Sequence, residues 1–338
     1  MFQSKACASL GSPFMEQLMR LLGTRDWPEG PIADRVFAWK GDISPRGQSV
    51  SLRLAGALHA LHLQGHAVLG LVYPPAKVGD DHLWRAVSAT LISEVDHINT
   101  WLDSAPQTNE VRRSATLIAA GHLLADRYGL PLRTSELGAS GGLNLHWDAY
   151  AMQLGDKCFG ADDPVLTLTP EWTGPLPPKT APTVVARAGV DLNPLNPANP
   201  DHALRLQAYL WPDQPERLAL TRAAIAAAAT PVTQGDAIDW LAEQLTHTPG
   251  QTHLIYSTVA WQYFPEDQQA KGAAMIAKAG ETATQDTPLA WFGMENDGGA
   301  RGAALTLRLW PGDHTFDLGR ADFHGRWVDW AGMPEPAA

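Results

Sequence analysis

The chain has 338 residues, 45% of them apolar and 18% charged, with 25 Lys and Arg against 36 Asp and Glu. That composition excludes global disorder and supplies a full-sized core. Its formal charge of −11 gives no overall attraction to nucleic acid or to an anionic membrane. The length predicts about two domains.

Two cysteines, Cys7 and Cys158, are too few and too far apart for a disulfide framework or a zinc site, which suits a reducing compartment. The first ten residues lack the apolar stretch of a signal peptide. The most apolar run, Ala57 to Tyr73, is interrupted by His59, His62, Gln64 and His66 and is too short and polar to span a bilayer. A soluble, cytoplasmic protein without nucleic-acid or membrane partners is expected.

Residues 1–130 read as helices. Ser12-Pro13 is a cap followed by a first-turn proline, and Phe14, Leu18, Leu21 and Leu22 share one helical face before Gly23. Further helices are expected over Ile32–Trp39, Ser49–Gln64, the periodic run Trp84, Val87, Leu91, Val95, Ile98 and Leu102, and from Thr108 to just before Gly129. His59, His62 and His66 share a face, but with no acidic partner nearby they read as packed or surface histidines, and no metal is expected.

From residue 131 strands and helices alternate. Strands are expected at Leu132–Leu137, Thr183–Leu192, Pro231–Thr233, Thr252–Val259 and Leu289–Met294, with helices at Ala203–Ala229 and Asp267–Ala279. Pro212, within Trp211-Pro212-Asp213-Gln214, interrupts the longer helical stretch. Ala303–Leu309 and Thr315–Leu318 flank a Pro311-Gly312-Asp313 turn and form a hairpin. The pattern predicts an α/β domain over 131–338, with a mostly parallel sheet, a terminal antiparallel hairpin and a preceding helical domain over 1–130. Eleven of the 26 prolines fall in residues 164–215, and a Pro-rich insertion over about 151–182 is expected to run as a loop across one end of the sheet.

The strongest motif is Glu136-Leu137-Gly138-Ala139-Ser140-Gly141-Gly142-Leu143-Asn144-Leu145, which follows a strand and opens a stretch that looks helical. Such a turn sits at the carboxyl edge of the sheet, where open α/β sheets bind ligands. Three readings fit it. One is the acidic-Gly-x-Gly-x-Gly loop of Rossmann-like methyltransferases with Ser140 replacing the middle glycine. Another is the G-x-S-x-G elbow of an α/β-hydrolase with Ser140 as nucleophile. The third is a tight turn without a ligand.

Downstream order favours the first. Asp191 ends the second strand, where the ribose acid belongs. Asp236 follows the third, beside the adenine position, and Ser257 lies in a fourth strand opening into the pocket. The span from Glu136 to Asp191 is 55 residues, longer than the roughly 20 of a simple βαβ unit, and the insertion accounts for the excess.

Four segments carry a family resemblance. They are Gln107-Thr108-Asn109-Glu110, the glycine-rich turn, Trp147-Asp148-Ala149-Tyr150, and Trp211-Pro212-Asp213-Gln214 with Glu216-Arg217. The sequence resembles the bacterial domain of unknown function 2332 family, which implies a Rossmann-type fold and leaves the reaction open.

The functional expectation is methyl transfer from S-adenosylmethionine to a small molecule. Glu136, Gly138, Ala139, Ser140, Gly141, Gly142, Asp191 and Asp236 would hold the cofactor. Gln107, Asn109, Arg113, Asn144 and Ser257 would hold the substrate. Glu110, Asp148 and Tyr150 are the catalytic candidates. A Ser140 hydrolase and a non-catalytic ligand-binding scaffold are the alternatives.

Overall fold

In chain order, helices α1 (Phe2–Ser9), α2 (Pro13–Thr24), α3 (Pro31–Phe37), α4 (Val50–Leu63), α5 (Ala67–Gly70), α6 (Asp80–Ser93), α7 (Val95–Leu102) and α8 (Ser114–Tyr128) precede the first strand. The structure is a computed structural model and describes residues 2–44, 47–299 and 301–333. Ser12 caps α2, its side chain accepting the Met15 amide, and Pro13 starts the helix as expected. The periodic run around residues 84–102 is two helices, broken at Glu94 (φ −112°, ψ 39°). Thr90 sits one turn before the break and bonds its hydroxyl to the Ala86 carbonyl, a contact that bends helices.

The chain then runs through β1 (Leu132–Leu137), β2 (Ala151–Leu154), β3 (Lys157–Gly160), β4 (Thr167–Leu168), β5 (Glu171–Thr173), β6 (Val184–Asp191), α9 (Pro200–Ala208), α10 (Pro215–Ala227), β7 (Thr233–Gln234), α11 (Ala237–Gln244), β8 (Thr252–Thr258), α12 (Glu266–Gly280), β9 (Leu289–Glu295), β10 (Ala303–Trp310), β11 (His314–Ala321) and β12 (Trp327–Trp330). It divides into two compact units, Met1–Thr108 with Asn199–Arg222, and Asn109–Ala198 with Ala223–Ala338. Helix α8, grouped by sequence with the N-terminal helices, thus lies in the second unit.

The first unit contains helices and no strand among its described residues. Its core joins α2, α4, α6 and α7 through Leu18, Leu54, Leu58, Val87 and Ile98, together with Tyr209 and Trp211. Two of its histidines are occupied by the fold. His59 Nδ1 lies 3.0 Å from the Ala208 carbonyl, and His66 Nδ1 accepts the Leu69 amide at the start of α5. Asp213 serves the start of α2, accepting from the Ser12 hydroxyl and the Phe14 amide. Arg217 instead donates to Gln214, at 2.6 Å.

The second unit is built on a nine-stranded sheet in the order β5-β12-β11-β10-β9-β8-β1-β6-β7. Strands β7, β6, β1, β8 and β9 are parallel neighbours. The expected terminal hairpin is the β10–β11 pair, and it continues into an antiparallel β12. The chain moves from β1 outward through β6 to β7, then returns to β8 on the other side of β1. The order therefore reverses between β1 and β8. All seven residues of β8 are buried, as a central strand covered on both faces requires. On one face α11 and α12 bring Trp240, Leu241 and Ile276 against Leu137, Val190 and Ile255.

Two expectations are corrected. The stretch after the glycine turn is a 3-10 segment, Leu143–Ala149, kinked at His146 (φ −102°, ψ 21°), because its side chains and backbone are tied to neighbouring loops, as described below. The insertion is not all loop. Strands β2, β3 and β4 form a small separate sheet, and β5 adds in parallel to β12 at the edge of the main one. Strands of two to four residues are too short to show alternation. Among the described residues, no helix is long and apolar enough to cross a membrane.

Candidate functional site

The turn after β1 is built by backbone geometry. Gly138, Ser140 and Gly142 have φ of 75°, 54° and 72°, a region that suits glycine and strains serine. The amides of Gly138 and Ala139 both bond the Val190 carbonyl, at 3.0 and 2.9 Å, and Gly142 bonds Ala139 at 2.8 Å. A Cβ on Gly138 would come within 2.4 Å of the Ala260 Cβ, so the turn is also pressed against the segment leaving β8. Ser140 is 6% exposed, and its Oγ has no hydrogen-bond partner.

Asp191, the last residue of β6, ties three segments together. Its Oδ2 accepts the Ser140 amide at 2.8 Å, its Oδ1 accepts the Asn193 amide at 2.9 Å, and its carbonyl accepts Gly235 at 3.0 Å. Asp236 follows β7 and caps α11, with Oδ1 accepting the amides of Ile238 and Asp239 at 2.8 and 3.1 Å. The glycine turn, Asp191 and Asp236 thus sit at the carboxyl ends of three adjacent strands.

Glu136 pairs in register with Gly189 on one side and Tyr256 on the other, and it is fully enclosed. Burial drives its carboxyl well above the ordinary range, and the Tyr256 hydroxyl and Arg113 only partly oppose that shift. Tyr256 Oη lies 3.4 Å from Glu136 Oε2 and 3.1 Å from the Asn144 carbonyl.

The polar residues before α8 frame the other side of the turn. Asn109 Oδ1 accepts the Leu143 amide at 2.9 Å. Asn144 donates from Nδ2 to the Glu110 carbonyl at 3.3 Å and accepts from the Ser114 hydroxyl at 2.8 Å. Glu110 Oε1 accepts both the amide and Nε of Arg112, each at 3.2 Å. Arg113 donates to the carbonyls of Thr258 and Phe323, at 2.9 Å each. Gln107 belongs to the first compact unit, whereas Asn109, Glu110 and Arg113 belong to the second.

Asp148 makes a 2.6 Å ion pair with Arg187 of β6, and burial still lifts its carboxyl above the usual value. Tyr150 is buried and donates to the Leu143 carbonyl at 2.6 Å. Ser257 is buried within β8. The structure therefore gathers Glu136, Asn109, Glu110, Asn144, Tyr150 and Asp191 around one turn. Asp148 lies on the β6 side and Ser257 on the β8 side.

Three participants, Tyr256, Arg187 and Glu295, have no signal among the sequence candidates, and the partners of a fourth, His146, have none either. Tyr256 is the partner of Glu136, and Arg187 is the partner of Asp148. His146 Nε2 accepts the amides of Ala229 and Thr230. Glu295, at the end of β9, accepts the amides of Ala260, Trp261 and Gln262 at 3.1, 3.1 and 3.3 Å, holding the turn after β8, where Val259 has a φ of 57°. Tyr256 was within sequence reach, since it lies in the strand expected beside β1. The others depend on loop placement.

No curated protein matches the chain. A family described as uncharacterised proteins conserved in bacteria, the domain of unknown function 2332 family, matches residues 1–330. The chain belongs to that family.

Proposed function

We propose that the sheet-bearing unit is a Rossmann-like, methyltransferase-type fold that binds S-adenosylmethionine, and that the protein transfers its methyl group to a small molecule. The observation that carries this reading is the Asp191–Ser140 contact. An acid at the carboxyl end of the strand next to β1 touches the glycine-rich turn through a 2.8 Å bond, so a ribose acid and a cofactor turn would share one cradle. The parallel strands follow the order 3-2-1-4-5, and ligands in such sheets lie outside the carboxyl ends at the reversal point.

The residues present fit an adenosyl group. Ser140 Oγ is a buried hydroxyl without a partner, which a bound polar group would satisfy. Asp191 would meet the ribose hydroxyls, Asp236 would lie by the adenine, and the turn from Gly138 to Gly142 would meet the amino-acid end. Most amides of the turn bond within the fold, so Ser140 Oγ and close backbone approach would supply the contacts there. When bound, the cofactor supplies an electrophilic methyl on a sulfonium. The chain's own work is then alignment and exclusion of water. Asn109, Glu110, Asn144 and Arg113 form the rigid frame beside the turn, where the acceptor would be held. Asp148, paired with Arg187, is a partly exposed carboxylate that would take a proton from it, and Ser257 completes the proposed substrate set within this unit.

S-adenosylhomocysteine should raise the melting midpoint of the protein, by about 2.7 kcal/mol of linkage at a hundredfold excess over Kd, and Asp191→Ala should lose the shift. Absence of any shift in the wild type would sink the reading. A serine hydrolase needs a base on Ser140, and no histidine hydrogen-bonds its Oγ among the described residues. Labelling of Ser140 by a serine-directed phosphonate would revive that alternative. Silence in both experiments would leave a non-catalytic scaffold.

A further inference from the structure

Residues 229–232 connect α10 to β7 and lie against the glycine turn. A Cβ placed on Gly142 would fall 2.9 Å from Val232 Cγ2 and 3.5 Å from the Thr230 carbonyl oxygen. The segment has no regular structure, and Ala229 and Pro231 are exposed. Among the described residues, its hydrogen-bond attachment is one nitrogen. His146 Nε2 accepts the amides of both Ala229 and Thr230, at 3.3 Å each, while His146 itself is buried.

We propose that residues 229–232 are a strap closed over the glycine turn and latched by the imidazole of His146, and that protonation of His146 opens it. The inference uses the turn but not the identity of its ligand. The chemistry is direct. Nε2 accepts a hydrogen bond only while it carries a lone pair, and in the imidazolium both ring nitrogens are donors. A proton on Nε2 therefore converts both latch bonds into donor–donor contacts. A segment with few buried apolar contacts and two latch bonds belongs to the low-stability end of the fold.

The surroundings keep the latch neutral. Burial lowers the His146 value first, and Arg187 of β6 adds to that. Asp148, two residues on, is neutralised by the same Arg187. From α8, Gly121 packs on the neighbouring Trp147, and His122 accepts the Gly160 amide through Nε2. The 3-10 turn before α8 brings the Glu110–Arg112 pair. The strap itself has no ionisable side chain before Asp236. Since the folded value lies below the unfolded one, the closed state is fully favoured above about pH 6.5 and is lost as pH falls through the folded value.

The test is hydrogen exchange of the intact protein at about pH 8 and about pH 5, corrected for the intrinsic pH dependence of exchange. Amides of 229–230 should lose protection by roughly tenfold per pH unit below the His146 value, and amides of 140–143 should rise with them. His146→Gln, which keeps an acceptor near the Nε2 position without titrating, should stay protected at both pH values, whereas His146→Phe should exchange fast at both. Protection that does not change with pH in the wild type would overturn the proposal. So would a Gln variant that follows the wild type, or a strap that opens while 140–143 stay closed. Should the Phe variant fail to fold, the wild-type and Gln comparisons decide alone.

Discussion

The Tyr256 hydroxyl lies within hydrogen-bond reach of both Glu136 Oε2, at 3.4 Å, and the Asn144 carbonyl, at 3.1 Å. One hydroxyl hydrogen cannot satisfy two acceptors. The network closes when Glu136 is protonated. Its O–H donates to Tyr256 Oη, and Tyr256 donates onward to Asn144. Burial, which pushes Glu136 upward, favours that arrangement.

A pH signature follows. The folded protein holds a proton on Glu136 that the unfolded chain releases, so this contribution is fully present below the unfolded carboxyl value, about pH 4.3, and declines as pH rises toward the folded value. Glu136→Gln keeps a neutral donor and removes the slope. Urea unfolding at several pH values should show the variant gaining on the wild type as pH increases. A constant offset would mean that Glu136 is ionised in the fold. Tyr256→Phe should cost about 1–3 kcal/mol, since it strands the Asn144 carbonyl and the Glu136 carboxyl.

Asp191→Asn separates structure from ligand binding. The variant loses the charge on an acceptor that serves the Ser140 and Asn193 amides, at a cost of about 1.5–3 kcal/mol. If the carboxylate also meets ribose hydroxyls, the melting shift given by S-adenosylhomocysteine should vanish in a variant that still unfolds cooperatively. Retention of the full shift would confine Asp191 to holding the turn.

Two glycines with similar positive φ should respond differently to alanine. Gly129 ends α8 with a φ of 63° and has nothing within 4 Å of an added Cβ. Gly129→Ala should therefore cost only the left-handed penalty, about 1–2 kcal/mol. Gly138 has a φ of 75° and the Ala260 Cβ at 2.4 Å, and Ala260 has no flexible end to move aside. Gly138→Ala should cost about 2–4 kcal/mol, the same penalty plus overpacking. Equal losses in denaturant unfolding would show that the β8 turn yields freely.

What could be read from the sequence follows burial. Strands β6, β8 and β9 carry enough apolar residues to stand out between turns, β1 is marked by the glycine-rich turn that follows it, and Asp191 and Asp236 are legible because acids at strand ends are positional. The break at Glu94 was hidden because Leu91, Val95 and Ile98 keep helical spacing across it. The 3-10 stretch after the glycine turn was hidden because its shape comes from outside. Asn109 takes the Leu143 amide, and Asn144 binds Glu110 and Ser114. Neither local propensity nor periodicity encodes those bonds. The roles of Glu295 and His146 likewise depend on where distant loops come to rest.

The Asp148–Arg187 pair offers the last check, because it decides whether Asp148 is held ready or held fixed. The bond is 2.6 Å, and both side chains keep some exposure, 18% and 26%. Arg187→Met should cost about 1–3 kcal/mol, less than a fully buried pair would lose, because solvent still reaches the stranded carboxylate. Asp148→Asn in the same background should recover part of the loss, giving a coupling energy of about 0.5–3 kcal/mol. Burial already raises the Asp148 carboxyl against the pull of Arg187, and removing that charge raises it further. The deficit of Arg187→Met should then shrink as pH falls and Asp148 takes up a proton, while the double variant shows no such relief. Additive single losses, or a deficit independent of pH, would mean that the two groups are solvated separately and that Asp148 stands as a free carboxylate beside the turn.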